Sequence, residues 1–394
     1  MLTSTTSTSM FEPRQSVVVR TEDGREQRYL YLPDTMANWP WPRKINPYYE
    51  EVTAESNAWF KTFKAFTPES QYAYDKCDFG RLASLAYPDV SREALRTGVD
   101  LMNVLFLVDE YTDFQPAPVV REITGVVIDA ILNPDKVRPE GESILGEVTR
   151  QFWARGRTTA TPEAAKHFVE TLKAYLNSVI VQAEDRDNDT IRTIDSYLEI
   201  RRENVGVRSA YMPGELHLSI PDEAFYHPVI KELEYLAIDL IILDNDIASY
   251  NKEQATGDDR HNILTIAMHQ FNTDFDSAMD WVANYHKEGE MRFLDALKRV
   301  PSWGPEVDKQ VAVYIEHLAN WPRCNDCWNF ESWRYFGHKG LEYQKTRLVP
   351  MLSKRPQNLT HRRENVEVPF VDKFEEMMSG ITNPLGHQVE DRAL

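Results

Sequence analysis

Apolar residues recur along most of the chain at the three- and four-residue spacing of an amphipathic helix. In the range 91–113, which Pro88 and Pro116 bracket, the positions with this spacing are Leu95, Val99, Met102, Leu105 and Val108. The same pattern predicts further helices near 48–65, 68–86, 117–132, 139–155, 162–184, 188–204, 222–252, 260–285, 287–299, 305–320 and 325–348. No repeat of fixed period is present, and β-rich runs are rare after residue 32. The pattern predicts an all-α protein.

The first fifty residues follow a different pattern. Apolar runs at 17–19 and 29–32 flank Asp23–Gly24, which is only a weak hairpin signal. Four prolines between Leu32 and Pro47 exclude a regular helix there, because proline lacks the backbone N–H and clashes with the preceding turn. We expect this stretch to run as an extended strap whose tryptophans pack against the rest of the protein.

No Gly/Ser-rich linker divides the middle of the chain. We therefore predict a partly flexible N-terminal tail and strap over residues 1–34 and one large helical domain over 35–350. The last residues, 351–394, are polar and contain Pro356, Pro369 and Pro384, so we expect a mobile tail.

Composition narrows the function classes. The 394 residues are 42% hydrophobic, which is enough for a sizeable core. The 62 acidic residues exceed the 44 basic ones and give a net charge of −18, which argues against general binding to nucleic acid or anionic membranes. No run approaches the roughly 20 apolar residues of a membrane span. The Ser/Thr-rich first ten residues lack the features of a secretory signal. We expect a cytoplasmic protein.

The three cysteines do not form a metal or disulfide framework. Cys324 and Cys327 make one CxxC pair, but no partner ligands lie nearby at zinc-finger spacing. We therefore interpret them as reduced structural thiols.

Two acidic clusters interrupt strongly apolar helical runs. In the first, Asp109 and Asp113 are four residues apart, so on a helix their carboxylates share one face. In the second, Asn245, Ser249 and Glu253 also step by four and line one stripe. Carboxylate, amide and hydroxyl oxygens together form a hard ligand set that suits Mg²⁺ or Mn²⁺ rather than zinc.

Each feature alone has an ordinary explanation. An acidic pair at this spacing is usually a solvated helix face, and each basic residue nearby is usually a surface charge. Like charges four apart nevertheless destabilise a helix by a few tenths of a kcal/mol, so their place after apolar runs calls for a cation. The basic residues with a plausible role toward an anion are Arg201, Arg202, Lys252 and Arg334, the last followed by Tyr335. Together, two metal-binding helices and convergent cations predict a site for a polyanion such as a diphosphate.

These residues resemble the motifs of class I terpene cyclases. Asp109-Glu110-x-x-Asp113 resembles the aspartate-rich motif, with Glu110 where Asp is usual. Asn245-x-x-x-Ser249-x-x-Lys252-Glu253 resembles the second metal motif, and Arg334-Tyr335 resembles the downstream Arg-Tyr pair. Arg201, which precedes Asn245 by 44 residues, resembles the arginine that senses diphosphate, and Arg202 is the alternative. The stretches 32–52 and 76–113 are similar to mushroom-type fungal sesquiterpene synthases, closest to the branch that makes Δ6-protoilludene.

The resemblance implies a fold, a chemistry and a set of roles. The fold would be a single class I terpenoid synthase helical bundle around a central active-site cavity. Three Mg²⁺ ions, which Mn²⁺ may replace, would be held by the metal ligands Asp109, Asp113, Asn245, Ser249 and Glu253. The residues that bind the diphosphate of farnesyl diphosphate would be Arg201, Lys252, Arg334 and Tyr335. The aromatic faces beside the carbocation would be Phe106 and Trp328. Initial closure between carbons 1 and 11 would give a humulyl cation and then Δ6-protoilludene.

Other functions stay open from the sequence. A cyclase with another initial closure, product or prenyl diphosphate has the same motifs, because the contour of the pocket is not visible in sequence. A chain-elongating prenyltransferase would need a second aspartate-rich motif in place of Asn245, Ser249 and Glu253. A non-catalytic helical binding protein would be expected to have lost motif positions. The oligomeric state, monomer or homodimer, is also open.

Overall fold

The structure, a computed structural model, describes residues 15–21, 24–113, 115–354 and 371. Helices dominate it, as the all-α prediction required. In chain order the helices are α1 (Tyr49–Thr62), α2 (Pro68–Lys76), α3 (Phe79–Ala86), α4 (Arg92–Thr112), α5 (Ala117–Leu132), α6 (Ile144–Gly156), α7 (Pro162–Asp187), α8 (Ile194–Asn204), α9 (Val207–Ala210), α10 (Met212–Glu215), α11 (Asp222–Phe225), α12 (Pro228–Thr256), α13 (Ile263–Phe271), α14 (Phe275–Leu297), α15 (Pro305–Glu331) and α16 (Gly340–Thr346).

One small antiparallel sheet accompanies the helices. Its strands are β1 (Val17–Arg20), β2 (Glu26–Tyr31) and β3 (Leu348–Pro350), in the order β1-β2-β3. The register pairs Val17 with Tyr29 and Leu30 with Val349. The weak hairpin signal therefore corresponds to a real hairpin, whereas β3 was not predicted, because a three-residue strand leaves no periodic pattern.

The centre of the bundle is built on α4 and α12. Both helices are buried on nearly all sides, as expected for helices that are apolar around their circumference. The helix α12 packs against α14 and α15, and α4 packs against α1, α3 and α6. Side-chain caps fix the helix starts: Ser91 caps α4 and Thr193 forms a capping box at α8. These two starts set the positions of the first acidic motif and of Arg201.

The segment after residue 305 differs from its prediction in a way that matters for the site. Two helices were expected, over 305–320 and 325–348, and Pro322, a residue that normally ends a helix, lies in the gap between them. The structure instead has one helix, α15, that runs through Pro322 to Glu331. Residues on both sides of Pro322 are buried, so tertiary packing offsets a cost of about 3 kcal/mol. The prediction of a helix over 325–348 was wrong, and Arg334 and Tyr335 lie in the turn that follows α15.

Three other predicted helices are divided. The range 68–86 is split by Asp78, which adopts a left-handed conformation at φ 49° and caps α3 through its side chain. The range 222–252 is interrupted before Pro228, where α12 begins. In the range 260–285, the helix α13 ends before Asn272, which has a φ of 50°. The next helix, α14, continues past residue 286, where the prediction placed a break between two helices. The new helices begin at residues whose side chains cap them, although the apolar spacing continues across these boundaries.

The strap over 32–47 contains no helix and packs against α14 and α15. Trp39 is 4% exposed, lies 5.1 Å from the Phe293 ring and donates its indole N–H to the Ala319 carbonyl at 2.8 Å. Arg323 donates to carbonyl oxygens of Met36, Trp39 and Trp41. The prediction that the tryptophans of the strap pack against the rest of the protein is therefore confirmed, since Trp39 and Trp41 both contact the Phe293 ring.

The predicted domain boundaries remain a prediction. Residues 1–14 of the N-terminal tail lie outside the described residues, as do 355–370 and 372–394 of the C-terminal tail. Val371 is described and is buried, with its backbone hydrogen-bonded to Gly141 and Glu142. No helix in the described part of the chain is both long and apolar enough to cross a membrane.

Candidate active site

The first acidic motif lies at the C-terminal end of α4. Asp109 is in the last turn of the helix, and Asp113 is its C-terminal cap residue. Arg334 faces this motif from the turn after α15: its Nη2 lies 3.3 Å from Asp109 Oδ2 and its Nη1 lies 3.6 Å from Glu110 Oε1. Burial raises the pKa of Asp113 well above its usual range, and the charge of Asp109 raises it further. A nearby cation would stabilise the ionised form of Asp113.

The second motif lies on α12, with Asn245, Ser249 and Glu253 along one side of the helix. Two of their oxygens converge on one side chain from outside the motif. Asn262 Nδ2 is 2.9 Å from Glu253 Oε2 and 3.4 Å from Ser249 Oγ. Burial, followed by the charge of Asp246, raises the pKa of Glu253 to about 7. The motif therefore presents an amide, a hydroxyl and a carboxyl group whose charged form lacks a strong counter-ion.

The structure distinguishes Arg201 from Arg202. Arg201 Nη2 donates to Asn245 Oδ1 at 2.9 Å and lies 3.5 Å from Asp246 Oδ1. Arg202 points away and forms a bidentate ion pair with Asp239, at 2.7 and 2.8 Å. Of the two candidates, Arg201 is the one that contacts the second motif.

Arg334 and Tyr335 connect the two motifs. While Arg334 contacts the acidic motif of α4, the hydroxyl of Tyr335 accepts a hydrogen bond of 2.9 Å from Asn245 Nδ2 on α12. The amide of Asn245 is thus held on both sides, by Arg201 and by Tyr335. Among the described residues, the Nε groups of Arg201 and Arg334 are buried without a hydrogen-bond partner. Each of these two guanidinium groups, which contact the second and the first motif respectively, therefore has a donor that no described residue uses.

Aromatic rings lie beneath the Arg334 guanidinium. The Phe106 ring centroid is 5.0 Å from Arg334 Cζ, and Phe106 stacks on Phe79 with centroids 3.8 Å apart. Trp328 lies 5.9 Å from each of these two rings and 6.0 Å from Tyr335. The Trp328 indole N–H donates to the Cys77 carbonyl at 2.8 Å, which fixes the orientation of the ring. The predicted pair of aromatics is thus part of a larger cluster.

The donor set fits a hard divalent cation. One nitrogen, Asn262 Nδ2, is close to two of the predicted ligand oxygens, so those oxygens already converge on one region. Across the described residues, no three His, Cys, Asp or Glu side chains group closely enough to hold a metal by themselves. The candidate set differs from such a group because it combines carboxylates with amide and hydroxyl oxygens, which Mg²⁺ accepts.

Lys252 is the predicted site residue with the weakest structural support. It follows Ser249 by three residues on α12, and part of its side chain is exposed. Within the described part of the chain, the structure shows no hydrogen bond or ion pair of the Lys252 ammonium group, although the backbone carbonyl of Lys252 accepts from the Thr256 hydroxyl at 3.2 Å. Desolvation by the surrounding protein, followed by the charge of Arg334, lowers the pKa of Lys252. Its position on the motif helix and the charge of Arg334 are the features that connect it to the site.

Three residues near the site were not found from the sequence. They are Asn262, Phe79 and Tyr197, whose hydroxyl donates to Asp246 Oδ2 at 2.5 Å. Asn262 carried a signal, since it precedes an apolar helical run as an N-cap does. Phe79 and Tyr197 carried none, because a single aromatic residue on a helix is most often part of the core.

Comparisons with known proteins identify the family of the chain. Residues 100–292 match the family model described as terpene synthase family 2, C-terminal metal binding. The chain is 65% identical over 347 residues to sesquiterpene synthase 14 of Postia placenta, covering 88% of this chain and 99% of the relative. It is 55% identical over 339 residues to Δ6-protoilludene synthase 18 of the same organism, covering 86% of this chain and 97% of the relative.

Solved structures show the same fold at low sequence identity. An α-eudesmol synthase superposes with a TM-score of 0.68 at 19% identity, covering 75% of this chain and 98% of that one. A single-residue variant of cucumene synthase gives a TM-score of 0.67 at 19% identity, covering 75% and 100%. The fold is the all-α fold of the terpenoid cyclases. With relatives this similar over most of its length, the chain belongs to the terpene synthase family.

Proposed function

We propose that this protein is a Mg²⁺-dependent sesquiterpene cyclase that ionises farnesyl diphosphate and closes the resulting cation between carbons 1 and 11. The product would be Δ6-protoilludene, released with diphosphate. The product assignment is supported by the 55% identity to a relative named Δ6-protoilludene synthase. The single observation that carries the proposal is the pair Arg334–Tyr335, because adjacent residues contact both metal motifs.

The charges of the site match a diphosphate. Bound Mg²⁺, held by the carboxylates of α4 and by Asn245, Ser249 and Glu253 on α12, would neutralise the leaving group. Arg201 and Arg334 have buried N–H donors without partners, which would bind diphosphate oxygens. The C1–O bond then breaks, and its electron pair leaves with the diphosphate. Donors that are already oriented toward the developing charge lower the barrier without reorganisation at the moment of reaction.

The aromatic cluster suits the cation that this step produces. Electrons of the distal double bond would attack carbon 1 to give the humulyl cation, further ring closures would follow, and loss of one proton would give the hydrocarbon. Phe106 and Trp328 would face the positive charge with their rings, where each contact is worth roughly 0.5–2 kcal/mol. The departing diphosphate is a suitable acceptor for the proton.

One experiment tests the proposal against its alternatives. The full chain is incubated with farnesyl diphosphate and Mg²⁺ under an organic overlay, and the products are identified by gas chromatography–mass spectrometry. We expect a C15 hydrocarbon with the spectrum of Δ6-protoilludene. EDTA should stop the reaction, and added Mg²⁺ should restore it.

The other results separate the remaining functions. A different C15 hydrocarbon would support a cyclase and overturn the product assignment. A product whose carbon skeleton does not derive from a bond between carbons 1 and 11 would also overturn the 1,11-closure. When isopentenyl diphosphate is added to the same mixture as the five-carbon co-substrate, longer prenyl diphosphates would indicate a chain-elongating prenyltransferase. No turnover of farnesyl or geranylgeranyl diphosphate would overturn the catalytic function, and activity that survives EDTA would overturn the metal dependence.

A further inference from the structure

Asn262 lies where the chain returns from α12 to begin α13. It is completely buried, at 0% exposure. Its Oδ1 accepts the backbone N–H of Leu264 at 2.9 Å, which is the usual N-cap contact of a helix start. This contact uses only the oxygen of the amide, so the cap leaves the Nδ2 group free for a second role.

The Nδ2 group of Asn262 is directed at the second metal motif. It donates to Glu253 Oε2 at 2.9 Å and to the backbone carbonyl of Asp246 at 2.9 Å, and it lies 3.4 Å from Ser249 Oγ. Two of these three groups are the hydroxyl and the carboxylate that would bind metal. The neighbouring Ile263 N–H donates to Asp246 Oδ2 at 2.8 Å. The loop is therefore attached to α12 independently of the Asn262 side chain.

We propose that Asn262 is a positioning residue for the metal site, which holds the Ser249 hydroxyl and the Glu253 carboxylate in the orientation that a divalent cation needs. This inference rests on the proposed function. An unrestrained glutamate loses up to roughly 1.5–2 kcal/mol of side-chain entropy when it is fixed. Asn262 fixes the Glu253 side chain during folding, so that binding of the cation does not carry this cost. Groups that orient metal ligands in this way typically change metal affinity by roughly 10–100-fold when they are removed.

The test separates this role from the helix cap. Asn262→Ser retains a side-chain oxygen that can cap α13, but its shorter side chain does not reach Glu253. Asn46 offers a matched control, since it is 1% exposed, accepts the Tyr48 N–H at 3.0 Å and donates Nδ2 to backbone carbonyls of Tyr87 and Val90. Asn46→Ser therefore removes equivalent hydrogen bonds whose partners, Tyr48, Tyr87 and Val90, lie outside α12.

The measurement is the rise in melting temperature on titration with Mg²⁺ at a fixed concentration of inorganic diphosphate, with no substrate present. We expect the Mg²⁺ midpoint of Asn262→Ser to be raised about tenfold or more. Asn46→Ser should keep the wild-type midpoint, although its melting temperature in EDTA should fall. Asn262→Thr is measured in parallel as a second capping variant.

Each other outcome contradicts a stated part of the argument. A wild-type midpoint in Asn262→Ser and Asn262→Thr would overturn the positioning role and leave the proposed function intact. Failure of both variants to fold in EDTA would assign Asn262 to the stability of the fold alone and would also overturn it. No response of the wild-type protein to Mg²⁺ and diphosphate would overturn the proposed function itself.

Discussion

Asn245 Nδ2 donates a hydrogen bond of 2.9 Å to the hydroxyl of Tyr335, which joins the second metal motif to the turn after α15. The neighbour of Tyr335, Arg334, contacts Asp109 on α4. The two motifs are 136 positions apart in sequence, taking 109 from 245. Two consecutive residues from a third segment hold them together, so a change in either residue should affect both motifs.

Tyr335→Phe should lower the catalytic efficiency while the ring remains in place. The variant loses one neutral hydrogen bond, which is worth about 0.5–1.5 kcal/mol, so we expect a roughly two- to tenfold fall in kcat/KM. Initial rates of hydrocarbon formation from farnesyl diphosphate provide the measurement. An unchanged kcat/KM would show that the hydroxyl has no role in turnover.

Arg201→Met and Arg202→Met should differ in their effect on diphosphate. Arg201 contacts Asn245, whereas Arg202 is paired with Asp239 on another face of α8. Loss of Arg201 also leaves Asp246 without its cationic partner, so we expect a fall in activity of roughly a hundredfold or more. The inhibition constant of inorganic diphosphate should rise for Arg201→Met and stay near the wild-type value for Arg202→Met. The reverse result would assign the diphosphate contact to Arg202.

Asn245→Leu and Glu253→Gln should each abolish turnover and leave a folded protein. Asn245→Leu removes an oxygen ligand, and Glu253→Gln replaces a charged carboxylate with a neutral amide, which is a weaker ligand for a hard cation. Circular dichroism checks the fold, and product formation at saturating Mg²⁺ measures the chemistry. Wild-type rates in either variant would exclude the second motif as a metal site.

Phe106→Leu should change the product mixture more than it changes the rate. The Phe106 ring stacks on Phe79 at 3.8 Å and lies 5.0 Å from Arg334 Cζ, so its loss alters both the shape and the cation-stabilising surface beside the proposed diphosphate site. We expect additional C15 products by gas chromatography–mass spectrometry. Phe152→Leu is the control: it removes a buried ring on α6 that packs on Phe168, at 5.9 Å. The control should lower stability and retain the wild-type product profile.

Asp326→Asn should stabilise the protein increasingly as the pH rises. Burial, followed by the charge of Asp244, raises the pKa of Asp326 to about 7. Between the unfolded pKa near 3.9 and this value, the unfolded chain loses the proton while the folded protein keeps it, so wild-type stability falls with pH. The Asp326→Asn variant has no titratable group at this position, so its stability does not fall with pH for this reason. We expect the free energy of unfolding of Asp326→Asn, relative to that of the wild type, to grow by on the order of 1–2 kcal/mol between pH 5.5 and 8.

Denaturant unfolding at the two pH values measures this difference. Glu306→Gln, which changes an exposed carboxylate on the same helix, serves as the control and should show no such growth. An advantage of Asp326→Asn that is constant with pH would contradict the raised pKa.

Local features of the fold could be read from the sequence. The helix α5 was predicted over 117–132 and occupies Ala117–Leu132, because Pro116 and Pro118 mark its start and its apolar period is regular. The prediction failed where burial outweighs a local preference. Pro322 lies within α15 because the surrounding residues are packed on both sides, and no local rule indicates how much burial a segment will gain.

The sequence by itself determined the residue types and spacings of the candidate site. Asp109 and Asp113 share a helix face, as do Asn245 and Glu253, because four residues make about one helical turn. Only the tertiary structure shows which of Arg201 and Arg202 contacts the second motif. These neighbours point about 100° apart on α8, and their roles depend on which partners the other helices place beside them.

The same reason explains why Asn262 was missed. Its contacts with Ser249 and Glu253 span 13 and 9 residues and form only when the chain turns back after α12. The apolar spacing within a helix predicts which face of that helix is buried. It does not predict which residue of a following loop will contact that helix. The sequence thus determined the all-α class and the residue types of the candidate site, whereas long-range packing determined where several helices end and which of those groups meet.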